Sequence, residues 1–284
     1  MAIVPQWVKM RPPHADDNLT HLQKKETMKK NLLTILLLLI TGPLLEADKS
    51  TVKAGSEVLF LGNSFTENND LVGLISVVAE ANGISFKPQK ALKGGQSIAG
   101  HSEDKKTLSK LSSQAWDGIV LQGHSLEPIL KKGAMVEGAK KIASQVGDAR
   151  VYVFVTWAYG SESRFLRKSA AHKKGGDANQ YKEMYKNMQN LLNEGYLELS
   201  QAVDGEIVPV GSVWEATRKK YPDWNLFGKD MYHPSKMGSY LTALVFYTKL
   251  FGKVPPKTIP KWADQATHDK MTAMIKSIIP KVSN

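Results

Sequence analysis

The 284-residue chain contains no cysteine. Disulfides are therefore excluded as a source of stability, as are thiolate metal sites, a cysteine nucleophile and lipid attachment at a cysteine. Neither a Gly-X-Gly-X-X-Gly run nor a Gly-X-X-X-X-Gly-Lys-Ser/Thr loop occurs, so nucleotide binding has no support. No two of the seven histidines stand at metal-ligand spacing, and neither a metal nor another cofactor is expected. Internal repeats, low-complexity tracts and interdomain linkers are also missing. The remainder reads as one domain from residue 52 to 284, long enough to enclose a full core.

What is abundant is lysine. The formal net charge is +11 at pH 7, spread along the chain rather than gathered in one block. The densest patch, Arg164, Arg167, Lys168, Lys173 and Lys174, reads as a solvated face or as a contact for an anionic polymer. Nucleic acid is not an expected partner, because no basic segment is interleaved with stacking aromatics. Residues 28–47, MKKNLLTILLLLITGPLLEA, have a basic start, an apolar centre and a small residue at Ala47. That is the pattern of a secretory signal peptide, with an apolar part too short to span a bilayer comfortably. The expectation is export to a bacterial periplasm or medium, with Met28 as the true start, residues 1–27 as an unordered upstream extension, and no stable membrane anchor after cleavage. Oligomeric state is not legible.

The stretch Val58-Leu59-Phe60-Leu61-Gly62-Asn63-Ser64 organises the domain. Four apolar residues followed by turn formers predict a buried strand, and Leu71, Leu74, Ile75 and Val78 predict a helix over 70–82. Ser64 is thus delivered at the carboxyl end of a strand, where open α/β sheets bind ligands. Further strands are predicted at 84–92, 117–121, 150–156 and 207–210, the last an edge strand because of Pro209. Helices are predicted at 102–112, 133–145, from Tyr181 to Leu199, and at 212–220, 240–251 and 271–278. This alternation implies a single three-layer α/β domain, a five-stranded parallel sheet with helices on both faces.

Three Gly-X-Ser sequences, ending at Ser64, Ser97 and Ser125, compete as nucleophile. A serine needs a base, and His101, His124, His172, His233 and His268 follow the signal segment. Of these, His233 stands in Asp230-Met231-Tyr232-His233, where a carboxylate three residues away can fix one ring nitrogen and leave the other to take a proton.

Taken together these segments resemble the SGNH-type (GDSL-type) serine esterases and lipases. That family places Gly-Asp-Ser after strand one, a glycine after strand two, Gly-X-Asn-Asp after strand three and Asp-X-X-His near the C-terminus. Here Gly62-Asn63-Ser64, Gly94-Gly95, the Gln122–His124 turn, and Asp230 with His233 correspond. The resemblance implies a sheet of flavodoxin-like order, Ser64 as nucleophile, His233 as base and Asp230 as its orienter. It further implies backbone N–H groups of Ser64 and Gly95 in an oxyanion hole. Asn63 replaces the family Asp, and the third motif lacks its Asn, leaving His124 or Gln122 as the third donor. The implied activity is cleavage of carboxylic esters through an acyl-serine, with small acyl groups such as acetyl on polysaccharides as the expected substrate. An inactive glycan-binding protein on the same fold is the alternative. Asn63, Trp157 and Trp214, with Tyr159 and Trp224, are candidate substrate contacts, the aromatic residues as platforms for sugar rings or else as packed core.

Overall fold

The computed structural model describes residues 52–161, 163, 183–259 and 261–279. The expected signal segment 28–47, the extension before it, the basic stretch from Arg164 to Lys174, and Tyr181 lie outside the described residues. The chain divides into a unit of residues 1–49 and a unit of residues 50–284, and only the second is described below.

Five parallel strands form the sheet among the described residues: β1 Val58–Gly62, β2 Gln89–Leu92, β3 Gly118–Leu121, β4 Arg150–Phe154 and β5 Glu206–Val208. Their spatial order is β2-β1-β3-β4-β5, the 2-1-3-4-5 doubly wound order of flavodoxin-like sheets. β1 lies inside the sheet and is buried at every position, so its sequence runs apolar without alternation, as a strand covered on both faces must. β5 is an edge strand, in keeping with Pro209 immediately after it.

Two helical layers cover the sheet. On one side α1 Ser64–Glu67 leads into α2 Leu71–Ala81, which packs on α9 Lys236–Phe251; α8 Val210–Lys220 and α10 Gln265–Ile278 join them. The other group comprises α3 Ile98–His101, α4 Lys105–Leu111, α5 Glu127–Leu130, α6 Lys132–Ala143 and α7 Met188–Ala202. Within it α6 packs on α3, α5 and α7, while α4 meets β2. Phe246 of α9 meets Phe60 of β1 and Phe154 of β4 at ring separations of 5.5 and 4.9 Å, which seats the apolar α9 across the sheet centre.

Among the elements that are shorter than the sequence implies are β2 and α4. β2 begins at Gln89, because Pro88 lacks an N–H for the ladder and Phe86 is instead buried in edge contact with Phe251. The helix expected over 102–112 is only the shorter α4, Lys105–Leu111. α3 ends at His101, and α4 starts afresh with Asp104 as its cap, the carboxylate accepting the Thr107 N–H at 2.9 Å.

Candidate active site

The nucleophile turn starts from β1. Asn63 caps α1 with extended backbone, and its Oδ1 accepts the Phe65 N–H at 3.2 Å. Ser64 is therefore the first residue of α1, and its N–H has no partner along the helix. Gly62 is required here, since a Cβ would lie 2.7 Å from Gln122 Oε1 and 2.8 Å from Thr66 Oγ1.

The second arm comes from the loop after β5 and α8. Gly228 N–H donates to His233 O at 2.7 Å, Met231 N–H to Gly228 O at 3.0 Å, and Phe227 bridges Pro234. Met231 occupies the left-handed region at φ 56°, so the turn is tight enough to return His233 over Asp230. It is also held from outside: Gly160 N–H donates to Met231 O at 2.9 Å, and Trp157 Nε1–H to Tyr232 O at 3.0 Å. Phe65, next to Ser64, packs against the Tyr232 ring at 4.8 Å.

These arms meet. Asp230 Oδ2 lies 2.7 Å from His233 Nδ1, and Oδ1 accepts the backbone N–H groups of Tyr232 and His233 at 3.1 and 2.9 Å. Burial pushes the Asp230 carboxyl upward, but the hydrogen bonds from the His233 ring and from the two backbone N–H groups outweigh it and hold the group below its ordinary value. With Nδ1–H committed to Asp230, the neutral ring presents Nε2 as acceptor, and Ser64 Oγ–H donates to it at 2.9 Å. Asp230 and His233 each keep about a quarter of their side-chain surface exposed, so a ligand can reach the pair.

The competing serines are engaged elsewhere. Ser97 Oγ caps α3 by accepting the Gly100 N–H at 2.9 Å. Ser125 is buried and accepts the hydroxyls of Tyr159 and Tyr232 at 2.8 and 3.1 Å. Among the described residues, only Ser64 of the three meets an imidazole. His101 and His268 are both buried, the first bonded to Gly62 O and Thr107, the second to Tyr240 and Pro255 O.

Gly95 takes φ 69° in a turn closed by Gln96 N–H to Lys93 O, and Lys93 N–H is bonded to Gly62 O at 3.1 Å. The Gly95 loop is thus hinged on the end of β1 beside the nucleophile.

Expectations for five candidate contact residues are corrected. Gln122 is completely buried and its amide is fully used: Oε1 accepts Asn63 N–H at 2.9 Å and the Thr66 hydroxyl at 3.0 Å, while Nε2 donates to Asn63 Oδ1 at 3.0 Å and to Gly123 O. It has no hydrogen left for an oxyanion. Asn63 is only 3% exposed, and its Nδ2 donates to Gln96 O at 2.8 Å and Gly123 O at 3.3 Å. Its side chain joins three segments and does not face a ligand. Trp157 and Trp214 are each 1% exposed and stack on one another at 4.0 Å; both are core, and Trp157 serves the site from behind through Tyr232. Tyr159 is buried as well, whereas Trp224 stays partly exposed, stacked on Tyr221 at 4.4 Å.

His124 is half-buried one residue beyond Gly123, and desolvation lowers its pKa. The ring is therefore neutral near pH 7 and has a single N–H to give.

Asn69 escaped the sequence reading. It sits at φ 57° between α1 and α2, and its Nδ2 donates to Pro234 O, Ser235 O and Ser239 Oγ at 3.2, 3.2 and 2.9 Å. This amide ties the helix behind Ser64 to the segment behind His233. The one hint in the sequence is an Asn-Asn-Asp run ahead of a helix, since these residues tolerate the left-handed region.

No family model matches the chain, and no curated protein matches it. Solved structures do. A DUF4886 family protein from Bacteroides uniformis superposes with a TM-score of 0.65 at 17% identity, covering 81% of this chain and 97% of that one. A candidate SGNH hydrolase from Slackia heliotrinireducens gives 0.55 at 22% identity, covering 68% and 98%. A candidate GDSL-like lipase from Parabacteroides merdae gives 0.50 at 14%, covering 70% and 96%. The class the architecture defines is the three-layer α/β fold, here with the candidate site at the carboxyl ends of its strands. Within that class, this chain has the fold of the SGNH hydrolases.

Proposed function

We propose that the protein is a serine ester hydrolase in which Ser64 is the nucleophile, His233 the general base and Asp230 its orienter. The observation that carries this is the unbroken hydrogen-bonded series Ser64 Oγ, His233 Nε2, His233 Nδ1, Asp230 Oδ2, with separations of 2.9 and 2.7 Å. Ser64 Oγ attacks the ester carbonyl carbon as its proton passes to His233 Nε2. The tetrahedral oxyanion collapses, the alcohol leaves with that proton, and an acyl-serine remains. A water then loses its proton to the same nitrogen, attacks the acyl carbon and releases the acid, restoring Ser64. Asp230, held ionised, keeps the ring tautomer fixed and stabilises the imidazolium in both halves. The N–H groups of Ser64 and Gly95 and the ring N–H of His124 are the proposed oxyanion donors.

For substrate the reading extends to small acyl groups such as acetyl carried on polysaccharides, and for location to the periplasm or medium. The signal-like stretch at 28–47 and the resemblance of the motifs support both extensions. The glycan-binding alternative expects a broken array, and Ser64 and His233 are both present and bonded. The test is a panel of p-nitrophenyl esters of increasing acyl length beside acetylated and deacetylated glycans. Hydrolysis of the acetyl members by the wild-type chain but not by Ser64→Ala supports the reading. A panel with no turnover refutes it.

A further inference from the structure

The proposed oxyanion donors come from separate loops, so something must set the distance between them. Asn63 holds both loops from one side, donating to the carbonyls of Gln96 and Gly123. From the other side a single carboxylate does so. Glu127, at the start of α5, is 3% exposed, and its Oε2 accepts the N–H groups of both Ile98 and His124 at 2.9 Å. Its Oε1 accepts the Ala99 N–H at 3.2 Å. The Gly95 loop runs directly into Ile98 and Ala99, and His124 is the residue whose ring is the proposed third donor. The carboxylate is itself anchored: Glu127 N–H donates to His124 O at 2.8 Å. Next to it, a Cβ on Gly195 of α7 would lie 2.2 Å from Pro128 O, so α5 is packed backbone to backbone on α7.

A buried carboxylate carries a large desolvation cost and persists where several donors satisfy it. Here all three donors belong to the two segments that must be kept in register. A charge-assisted acceptor gives shorter and stiffer hydrogen bonds than a neutral one, which is what a preorganised oxyanion site needs.

We propose that Glu127 is a positioning residue for the oxyanion hole, clamping the loop after Gly95 to the backbone of His124. This rests on the ester hydrolase reading above, and its effect should be confined to the transition state. Glu127→Gln preserves shape and keeps one oxygen for two of the three N–H groups, but turns an amide NH₂ toward the third. The assays are kcat and KM on the best ester of the panel, and affinity for a boronic acid that forms a tetrahedral anionic adduct with Ser64. The clamp predicts a fall in kcat of about tenfold to a hundredfold, a fraction of the roughly 10²–10³ seen when one donor is removed outright. KM should change by less than about twofold, boronate affinity should fall in parallel with kcat, and Glu127→Asp should recover only part of the rate. Ile275→Ala, a cavity in α10 away from the site, should lower thermal stability and leave all three parameters unchanged. Should Glu127→Gln fail to fold, Glu127→Asp is read in the same assays. Unchanged kcat in the Gln variant, or a kcat loss with unchanged boronate affinity, overturns the clamp while Ser64-dependent hydrolysis by the wild type still stands. Absence of that hydrolysis in the wild type overturns the clamp together with the esterase reading.

Discussion

Asn63→Asp converts the nucleophile turn to the Gly-Asp-Ser form of the SGNH-type pattern, and in this chain it should be destabilising. The Asn63 amide has two distinct ends. Oδ1 accepts from Phe65 N–H and Gln122 Nε2, and a carboxylate oxygen would accept from them equally well. Nδ2 faces two carbonyls, Gln96 O at 2.8 Å and Gly123 O at 3.3 Å, to which a carboxylate can give nothing. Gly123 O keeps its bond from Gln122 Nε2, so one carbonyl is orphaned, at about 1–3 kcal/mol. The second carboxylate oxygen is then pressed against two carbonyl dipoles, bringing the total to roughly 2–4 kcal/mol at neutral pH. Protonation relieves this, because a neutral carboxyl has an O–H to donate to Gln96 O. The folded pKa of the introduced carboxyl is therefore raised above its unfolded value of about 3.9. Between those two values the folded state binds more protons than the unfolded, so stability falls as pH rises, with a slope of at most about 1.4 kcal/mol per unit. The assay is urea unfolding of wild type and variant at pH 5 and pH 8, comparing the difference between them. A deficit that is larger at pH 8 is expected. Equal stabilities, or a deficit that shrinks with rising pH, would refute the account of why this chain has Asn with Gln122.

Two further predictions concern histidines. His124→Ala should lower kcat by about 10² and His124→Asn should recover much of it, as for a replaced oxyanion donor; wild-type kcat in the Ala variant would remove His124 from the hole. His101 is buried with Nε2 on Gly62 O, and desolvation lowers its pKa against opposing contributions from the Gly62 hydrogen bond and the charges of Asp104 and Glu127, with Lys93 lowering it further. Its folded pKa lies below the unfolded value of about 6.5, so the unfolded chain binds the extra proton, and stability should decline as pH falls below about 6.5. His101→Gln should flatten part of that decline in melts between about pH 5 and 7.5; an unchanged slope would assign the acid loss to other groups.

The skeleton of the site was legible because it depends on local pattern. The apolar run Val58–Leu61 is too short for a helix and bounded by turn residues, which marks a buried strand, and Asp230 with His233 lie within one turn, so sequence spacing stands in for distance. Trp157 and Trp214 show where that ends. An aromatic residue near a strand end has the same local signature on a rim or in a core, and only the path of the intervening chain, which brings α8 back over the exit of β4, decides that they stack on each other. Gln122, the alternative third donor, is excluded for a related reason. Its alignment with a family glycine says nothing about the space beside Gly62, which its amide fills while bonding Asn63 across 59 residues of chain. Asn63 and Gln122, which look independent in sequence, form one interaction in space. Asn69 and Glu127 belong to the same category, polar side chains that bond backbone groups of distant segments, Pro234 and Ser235 for the first, Ile98 and Ala99 for the second.

The central claim is that Ser64, His233 and Asp230 act as one unit. A fluorophosphonate probe with the labelled residue mapped by mass spectrometry tests it most directly, comparing wild type, Ser64→Ala and Asp230→Asn. The account predicts a single adduct on Ser64, none in Ser64→Ala, and labelling in Asp230→Asn slowed toward the order of 10⁴ that loss of the ring's orienter causes in the triad of serine proteases. An adduct on Ser97 or Ser125, or undiminished labelling in Asp230→Asn, would contradict it.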